Sequence, residues 1–206
     1  MPKSILKKDK KYTFSDYFEL NCSTREILAE FGYGYAFEQL MLPKTSREIT
    51  PLERLGNTYI TKLPHIVLSS EAARREFYLS PFLLEMLDWI DARIDVEYPL
   101  DGGENLSGVV DYLITSSSNI LIVDAKKGDL EQGFNQLAVE LIALDKYDDG
   151  TSKVLYGAVT SGDFWRFGQL DREERLLRKD MNGYVLPSNL DELFSILIGI
   201  LEGETG

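Results

Sequence analysis

Three side chains with the types and spacing for chemistry lie between Gly108 and Glu140, in GVVDYLITSSSNILIVDAKKGDLEQGFNQLAVE. Asp111 interrupts one apolar run, Val109 to Ile114; Asp124 ends a second, Ile120 to Val123, and Lys126 follows two residues on. Strand side chains alternate between faces, so Asp124 and Lys126 point the same way. Ser116, Ser117, Ser118 and Asn119 read as a polar turn between two strands. With those four residues as the loop, Ile120 pairs with Thr115 and Asp111 falls opposite Asp124. Opposed side chains sit about 4.5–5.5 Å apart at Cβ, close enough for two carboxylates to share one divalent cation beside the lysine. Carboxylates that close in a dry sheet repel and take up a proton unless positive charge compensates. Lys126 alone would make a buried Asp–Lys–Asp ion network, whereas a metal would make a phosphodiesterase site.

The flanking pattern supplies elements to position these groups. Upstream, Ile94, Val96, Tyr98 and Leu100 alternate with Asp95 and Glu97, which predicts a strand with one solvated face, Glu97 being able to serve as an outer carboxylate. Downstream, a helix from about Leu130 to Tyr147 buries Leu130, Phe134, Leu137, Ala138 and Leu141. Gln132, Gln136 and Glu140 recur every four residues on another face, either as part of the site or as an exposed stripe. Gly133 costs helix propensity and so implies close approach to a neighbour. Val154 to Thr160 reads as a core strand, joined by Ser161-Gly162-Asp163 to Phe164–Phe167 in a hairpin, with Trp165 as a core or edge aromatic. Lys127 reads as a surface charge.

Before the acids, Ser69-Ser70-Glu71 opens the helix EAARREFYL, and Ser80-Pro81 restarts it with a break or kink near Leu79. Residues 1–60 read as helical, with capping boxes at Ser23–Glu26, closing at Gly32, and at Thr50–Glu53, running to about Thr61. The glycine-rich FGYGY follows a helix, not a strand, which argues against a phosphate loop. Ser188–Asp191 caps a last helix whose apolar residues, Leu193 to Leu201, nearly surround it. Such a helix needs packing on more than one side, within the domain or against a second subunit.

Composition narrows the chemistry. Cys22 and His65 are the only residues of their types, which excludes an internal disulfide framework and a Cys/His zinc site. His65 reads as a boundary residue, with no nucleophile-elbow motif to accompany it. A metal here would be held by oxygen, which favours magnesium, manganese or calcium. At 206 residues, 44% hydrophobic and 27% charged, one domain is expected. No apolar run reaches the roughly 18 residues of a membrane span. The charged start MPKSILKKDKKYTF lacks a signal-peptide core, so the expected location is cytoplasmic and free of membrane. The net charge of −12 disfavours a free-standing nucleic-acid binder. That charge is uneven: Lys3, Lys7, Lys8, Lys10 and Lys11 against Asp9 give the first twelve residues +4.

Helix, strand, Asp-bearing strand, strand ending in Asp-x-Lys, helix and strand, in that order, resemble the core of the PD-(D/E)XK nuclease superfamily from about Ser69 to Phe167. The likeness is to short bacterial members and to the nuclease regions of type I restriction subunits. Asp9-Lys10-Lys11 has the same triplet but no strand before it. The resemblance implies an α/β fold with a restriction-endonuclease-like core, a mixed central sheet flanked by helices and an N-terminal helical extension. Residues 1–206 would form a single domain, divided into the extension (1–68), the core (69–167) and a C-terminal strand and helix elaboration (168–206).

Residue by residue, Asp111 matches the first metal-binding acid, Asp124 the second, Lys126 the lysine that positions the attacking water, and Gln136 the supporting glutamine on the following helix. The first-helix acid is Glu71 in preference to Glu76. The two lie about 140° apart around a helix, so both cannot face one metal. Val110 stands where the family pattern has proline before the first acid. The implied activity is hydrolysis of a phosphodiester, in DNA, by magnesium or manganese held by Asp111, Asp124, Glu71 and the Ala125 carbonyl. Lys126, its pKa depressed by partial burial and the metal, would orient the water. The acidic surface implies help from a homodimer or a basic partner subunit. The alternative is a non-catalytic interaction module that works with a partner subunit.

Overall fold

The computed structural model describes residues 4–7, 9–49, 52–126, 128–148, 150 and 152–203. Lys3, Lys8, Thr50, Pro51 and Lys127, used in the sequence reading, lie outside the described residues. In chain order the helices are α1 (Phe14–Phe18), α2 (Thr24–Glu30), α3 (Glu53–Asn57), α4 (Glu71–Arg74), α5 (Ser80–Met86), α6 (Leu130–Tyr147) and α7 (Leu190–Glu202). The strands are β1 (Gly34–Glu38), β2 (Ala92–Asp101), β3 (Ser107–Ser116), β4 (Ile120–Ala125), β5 (Val154–Thr160), β6 (Phe164–Asp171), β7 (Leu176–Asp180) and β8 (Tyr184–Val185).

The fold is α/β, with a mixed, open sheet of eight strands between helical layers. Its order is β1-β7-β6-β5-β4-β3-β2, with β8 pairing to β6 off that path. β1–β7 and β4–β5 are parallel and the other pairs antiparallel. Thr115 pairs with Ile120, as the four-residue turn requires. On one face of the sheet, Phe134, Leu137 and Leu141 of α6 pack with Tyr17 of α1, Ile27 of α2 and Ile122 of β4. On the other, Phe82 and Met86 of α5 and Phe194 and Leu197 of α7 pack with Leu121, Val123, Trp165 and Phe167.

Local chemistry sets several boundaries. The Ser23–Glu26 capping box forms, and Gly32 leaves α2 at φ +78°. Ser70 Oγ accepts from Ala73 N at 3.0 Å to start α4. Ahead of α6, Asp129 accepts from Glu131 N at 2.8 Å. At Pro81 the helix neither ends nor breaks: Arg75–Leu79 forms a π-helical turn between α4 and α5, with Ser80 Oγ donating to the Arg75 carbonyl at 3.0 Å. A π turn absorbs the backbone contact that proline would otherwise lose.

Three expectations are corrected. The N-terminal segment is not wholly helical, because β1 joins the sheet edge in parallel with β7. None of the five residues of β1 is buried, so no buried face marks it in the sequence. The division at residue 167 falls inside β6. Ile94, Val96, Tyr98 and Leu100 do not share a face. Ala92 and Ile94 pack on the α7 side and Tyr98 and Leu100 on the α6 side. The switch lies at Glu97, whose φ of +54° turns the strand, and the β2–β3 pairing passes over Glu97 and Asp111.

The apolar circumference of α7 is covered within the chain. Leu193, Phe194, Ile196, Leu197, Ile198, Ile200 and Leu201 are all fully buried, each worth about 1.5–3 kcal/mol when removed from water. The outer side is crossed by the segment around Lys44: Thr45 N donates to Ser195 O at 3.1 Å, and a Cβ on Gly199 would lie 2.6 Å from the Lys44 carbonyl carbon. Gly199→Ala is therefore expected to cost about 1–3 kcal/mol through overpacking against backbone. Chemical denaturation measures this, and an unchanged midpoint would mean that the crossing segment shifts freely.

Candidate functional site

β3 and β4 deliver their acids to the α6 face of the sheet. Asp111 is mostly buried, with 15% of its side chain exposed, and its Oδ2 accepts from Ala125 N at 2.8 Å. Asp124 is fully buried. Lys126 Nζ lies 2.9 Å from Asp124 Oδ1 and 3.7 Å from Asp111 Oδ2, so one ammonium bridges both acids. α6 packs closely over the lysine stem, and Gly133 permits it: an added Cβ would sit 3.1 Å from Lys126 Cγ and 2.9 Å from Val159 Cγ2.

The polar row on α6 is not an exposed stripe at its centre. Gln136 and Glu140 are buried, and Gln136 Nε2 donates to Glu140 Oε1 at 2.8 Å and reaches Asp124 Oδ1 at 3.5 Å. Asp124 Oδ2 and Glu140 Oε2 have no hydrogen-bond partner among the described residues. Glu71 and Glu76 part company as the helical angle requires. Glu71 borders a cleft of about 470 Å³ with Lys126, Gln136, Ser15 and Phe18, whereas Glu76 borders a different one with Lys62 and Glu85. Trp165 is a core residue, fully buried with Nε1 donating to Gly162 O at 3.1 Å, and His65 is exposed on a short 3₁₀ turn.

Arg75 is the participant that sequence reading missed. Its Nη1 lies 3.7 Å from Asp111 Oδ1 and 3.5 Å from Glu97 Oε1, and its Nε donates to the Tyr112 hydroxyl at 3.3 Å. It stands four residues after Glu71, one turn along the same helix face, and that spacing was a usable signal. Glu140 carried a signal too, as a lone acid between Val139 and Leu141 in an apolar helix.

Electrostatically the site is short of positive charge. Burial pushes the Asp124 carboxyl up to about 8, with Lys126 opposing and Asp111 reinforcing the shift. Burial, and then the Asp124 charge, push Glu140 well above the usual carboxylate range. For Lys126, burial lowers the pKa, but the attraction of Asp124 and Asp111 outweighs it and the net shift is upward. Burial thus acts on Lys126 in the expected direction, and in the metal-free chain the two acids outweigh it.

A hard divalent cation suits this donor set. Asp111, Asp124 and the Ala125 carbonyl offer only oxygen, and two buried carboxylate oxygens lack donors. Among the described residues no group of three His, Cys, Asp or Glu side chains is spaced to cage a metal. Magnesium does not require one, since it commonly takes one or two carboxylates and completes its shell with water and phosphate. No protein-family model matches the chain, and no curated protein matches it either. Among the described residues no helix is long and apolar enough to cross a membrane.

The pH dependence of stability follows from these shifts. With a folded pKa near 8 against an ordinary 3.8, Asp124 takes up protons on folding. Its contribution is fully favourable below the unfolded pKa and is lost as pH rises through the folded one. Glu140 acts in the same direction. Glu140→Gln is expected to make the fall in stability between about pH 4 and 8 shallower and to add about 1–3 kcal/mol at the upper end. Thermal unfolding in EDTA measures this; superimposable curves for variant and parent would place no strain at Glu140.

Proposed function

We propose that this chain is a divalent-metal-dependent phosphodiesterase with a restriction-endonuclease-like core, acting on nucleic acid and most directly on DNA. The observation that carries the reading is the convergence of Asp111, Asp124 and Lys126 on one face of the sheet, with Lys126 bordering a cleft beside Glu71 and Gln136. Magnesium or manganese would be held by Asp111, Asp124 and the Ala125 carbonyl, with Glu71 at the cleft. It would supply Lewis-acid polarisation of a phosphoryl oxygen and a bound water of lowered pKa.

The protein's own groups have distinct tasks in this reading. Lys126, held 2.9 Å from Asp124, would place Nζ as a donor to charge developing on phosphate and as an orienter of the attacking water. Gln136 orients Asp124 and ties it to Glu140. Arg75 steadies Asp111 from the side away from Lys126, contacting Oδ1 while the lysine approaches Oδ2. Gly133 keeps α6 close enough for the lysine stem to lie against it. The net charge of −12 is consistent with a homodimer or a basic partner subunit that helps to hold the substrate.

One observation favours a second reading, a non-catalytic interaction module. Lys126 already compensates both acids at ion-pair distance, as a structural network would. Two measurements separate the readings. In magnesium, Asp111→Ala, Asp124→Ala and Lys126→Ala are each expected to lower plasmid cleavage by about 100-fold or more with the circular-dichroism spectrum retained. Titration calorimetry with manganese is expected to find one site that Asp111→Ala removes. An inert parent protein that binds no manganese would leave only the module.

A further inference from the structure

On the same face as the acids, farther across the sheet, lies a cluster of opposite sign. Asp124 is in register with Val159, and Val159 with Arg166. Adjacent strands lie about 4.8 Å apart, so the two backbones at Asp124 and Arg166 are about 10 Å apart. Trp165 and Phe167 pack into the opposite layer, which turns Arg166 towards α6. There Arg166 Nη1 lies 2.9 Å from Glu131 Oε1, while Lys179 Nζ bonds the other oxygen of the same carboxylate.

The members of this cluster are unequally held. Lys179 is only 2% exposed, with its ammonium 4.7 Å from the Phe134 ring centre and 5.9 Å from that of Phe37. Arg166 lies 5.4 Å over the Phe164 ring, and its buried Nε has no hydrogen-bond partner among the described residues. Glu131, in contrast, is 66% exposed. Arg25 lies 5.5 Å over the Tyr35 ring and forms no ion pair among the described residues. The Tyr35 phenol is raised chiefly by burial and then by Glu131, and lowered in part by Arg25 and Arg166. Asp129, the other nearby acid, is engaged by the Glu131 and Gln132 amides. A cleft of about 370 Å³ opens here, bordered by Arg25, Tyr35, Glu131 and Asn135.

Two cations thus share one exposed carboxylate, with a third on the border of the same cleft, in a chain whose net charge is −12. Arg166 and Lys179 are set on strands and against rings, whereas Glu131 is exposed, so the acid is the part that can leave. An incoming phosphate would take the place of the Glu131 oxygens and reach the unpaired Arg166 Nε in the two-pronged manner guanidinium favours.

We propose that Arg166, Lys179 and Arg25 form a phosphate-binding subsite for a nucleic-acid strand, with Glu131 as the carboxylate that the phosphate displaces. This rests on the phosphodiesterase reading for what lies at Asp124. The bound phosphate would be a few nucleotides from the scissile one, as the supporting strands are only two apart in the sheet. It is either an internal phosphodiester or a terminal 5′-phosphate.

Fluorescence anisotropy in EDTA tests this apart from catalysis, with a 3′-labelled 12-nucleotide single-stranded DNA, with and without a 5′-phosphate. Arg166→Gln is expected to weaken binding about tenfold and to lower the slope of log affinity against log salt by about one. Glu131→Gln is expected to tighten binding and steepen that slope, a gain that misfolding does not produce. A tenfold preference for the 5′-phosphorylated strand that Arg166→Gln abolishes assigns a terminal phosphate. Equal affinity for both strands, with the Arg166 effect retained, assigns an internal one. Parent-like affinity and slope in both variants, or an equal response to a polyglutamate peptide, would overturn the subsite. Loss of manganese binding or of cleavage would overturn the phosphodiesterase reading and leave this EDTA measurement unaffected.

Discussion

The Lys126 ammonium, 2.9 Å from Asp124 and 3.7 Å from Asp111, is the contact on which the acid end of the sheet depends. Asp124 and Glu140 are carboxyls withdrawn completely from water, and an isolated buried charge is costly. One cation cannot neutralise Asp111, Asp124 and Glu140 together. Arg75 meets part of the shortfall from the side, and burial, reinforced by Asp111, pushes the Asp124 carboxyl up to about 8. Evolving such a pocket for stability alone makes little physical sense, because well-packed apolar residues commonly stabilise a core at least as well as buried charge. On the proposed reading, a cation arriving through the cleft that Lys126 and Gln136 border would relieve the deficit.

The scaffold around the deficit is built to hold it rigid. β4 and β5 run parallel and side by side, with α6 laid back across them, so Asp124 and Lys126 sit at the carboxyl end of a central strand beneath a helix. Open α/β sheets commonly place their ligands there. Gly133 removes the one side chain that would hold α6 off the lysine. On α4 and the π turn after it, Glu71 reaches the cleft and Arg75 reaches Asp111, while Pro81 is accommodated farther along. α1 and α2 pack with α6 in one apolar cluster, while its Gln136 and Glu140 are buried towards Asp124.

Seen across the sheet, the acid pocket and the Arg166–Lys179–Glu131 cluster make a bipolar surface on a single face. On the proposed reading, the first is completed by a metal and the second by a phosphate, and a phosphodiester strand supplies the charge between them. Such an arrangement lets an acidic chain grip a polyanion locally while its remaining surface repels one, leaving binding strongly dependent on salt and on any basic partner.

Much of this site was legible in the chain. Interruption of apolar runs at Asp111 and Asp124 is a statement about buried acids, and the polar turn Ser116–Asn119 set the β3–β4 register by arithmetic alone. Helix α6 and strand β5 were readable to their ends, because amphipathic and apolar periods are local signals. β1 was not: a five-residue edge strand with exposed residues has no local pattern, and its partner β7 is far away in sequence. Neither was the face switch at Glu97, since a left-handed backbone on a non-glycine residue leaves no mark in composition. The sequence by itself determined which side chains could meet and excluded cysteine and histidine chemistry. Only the tertiary structure decided that Arg75 and Glu140 join them, that Lys126 gains rather than loses proton affinity, and that Arg166 and Lys179 share one acid. Those outcomes depend on burial and on distances between segments far apart in the chain, and electrostatic energy is set by distance and by exclusion of water rather than by order along the sequence.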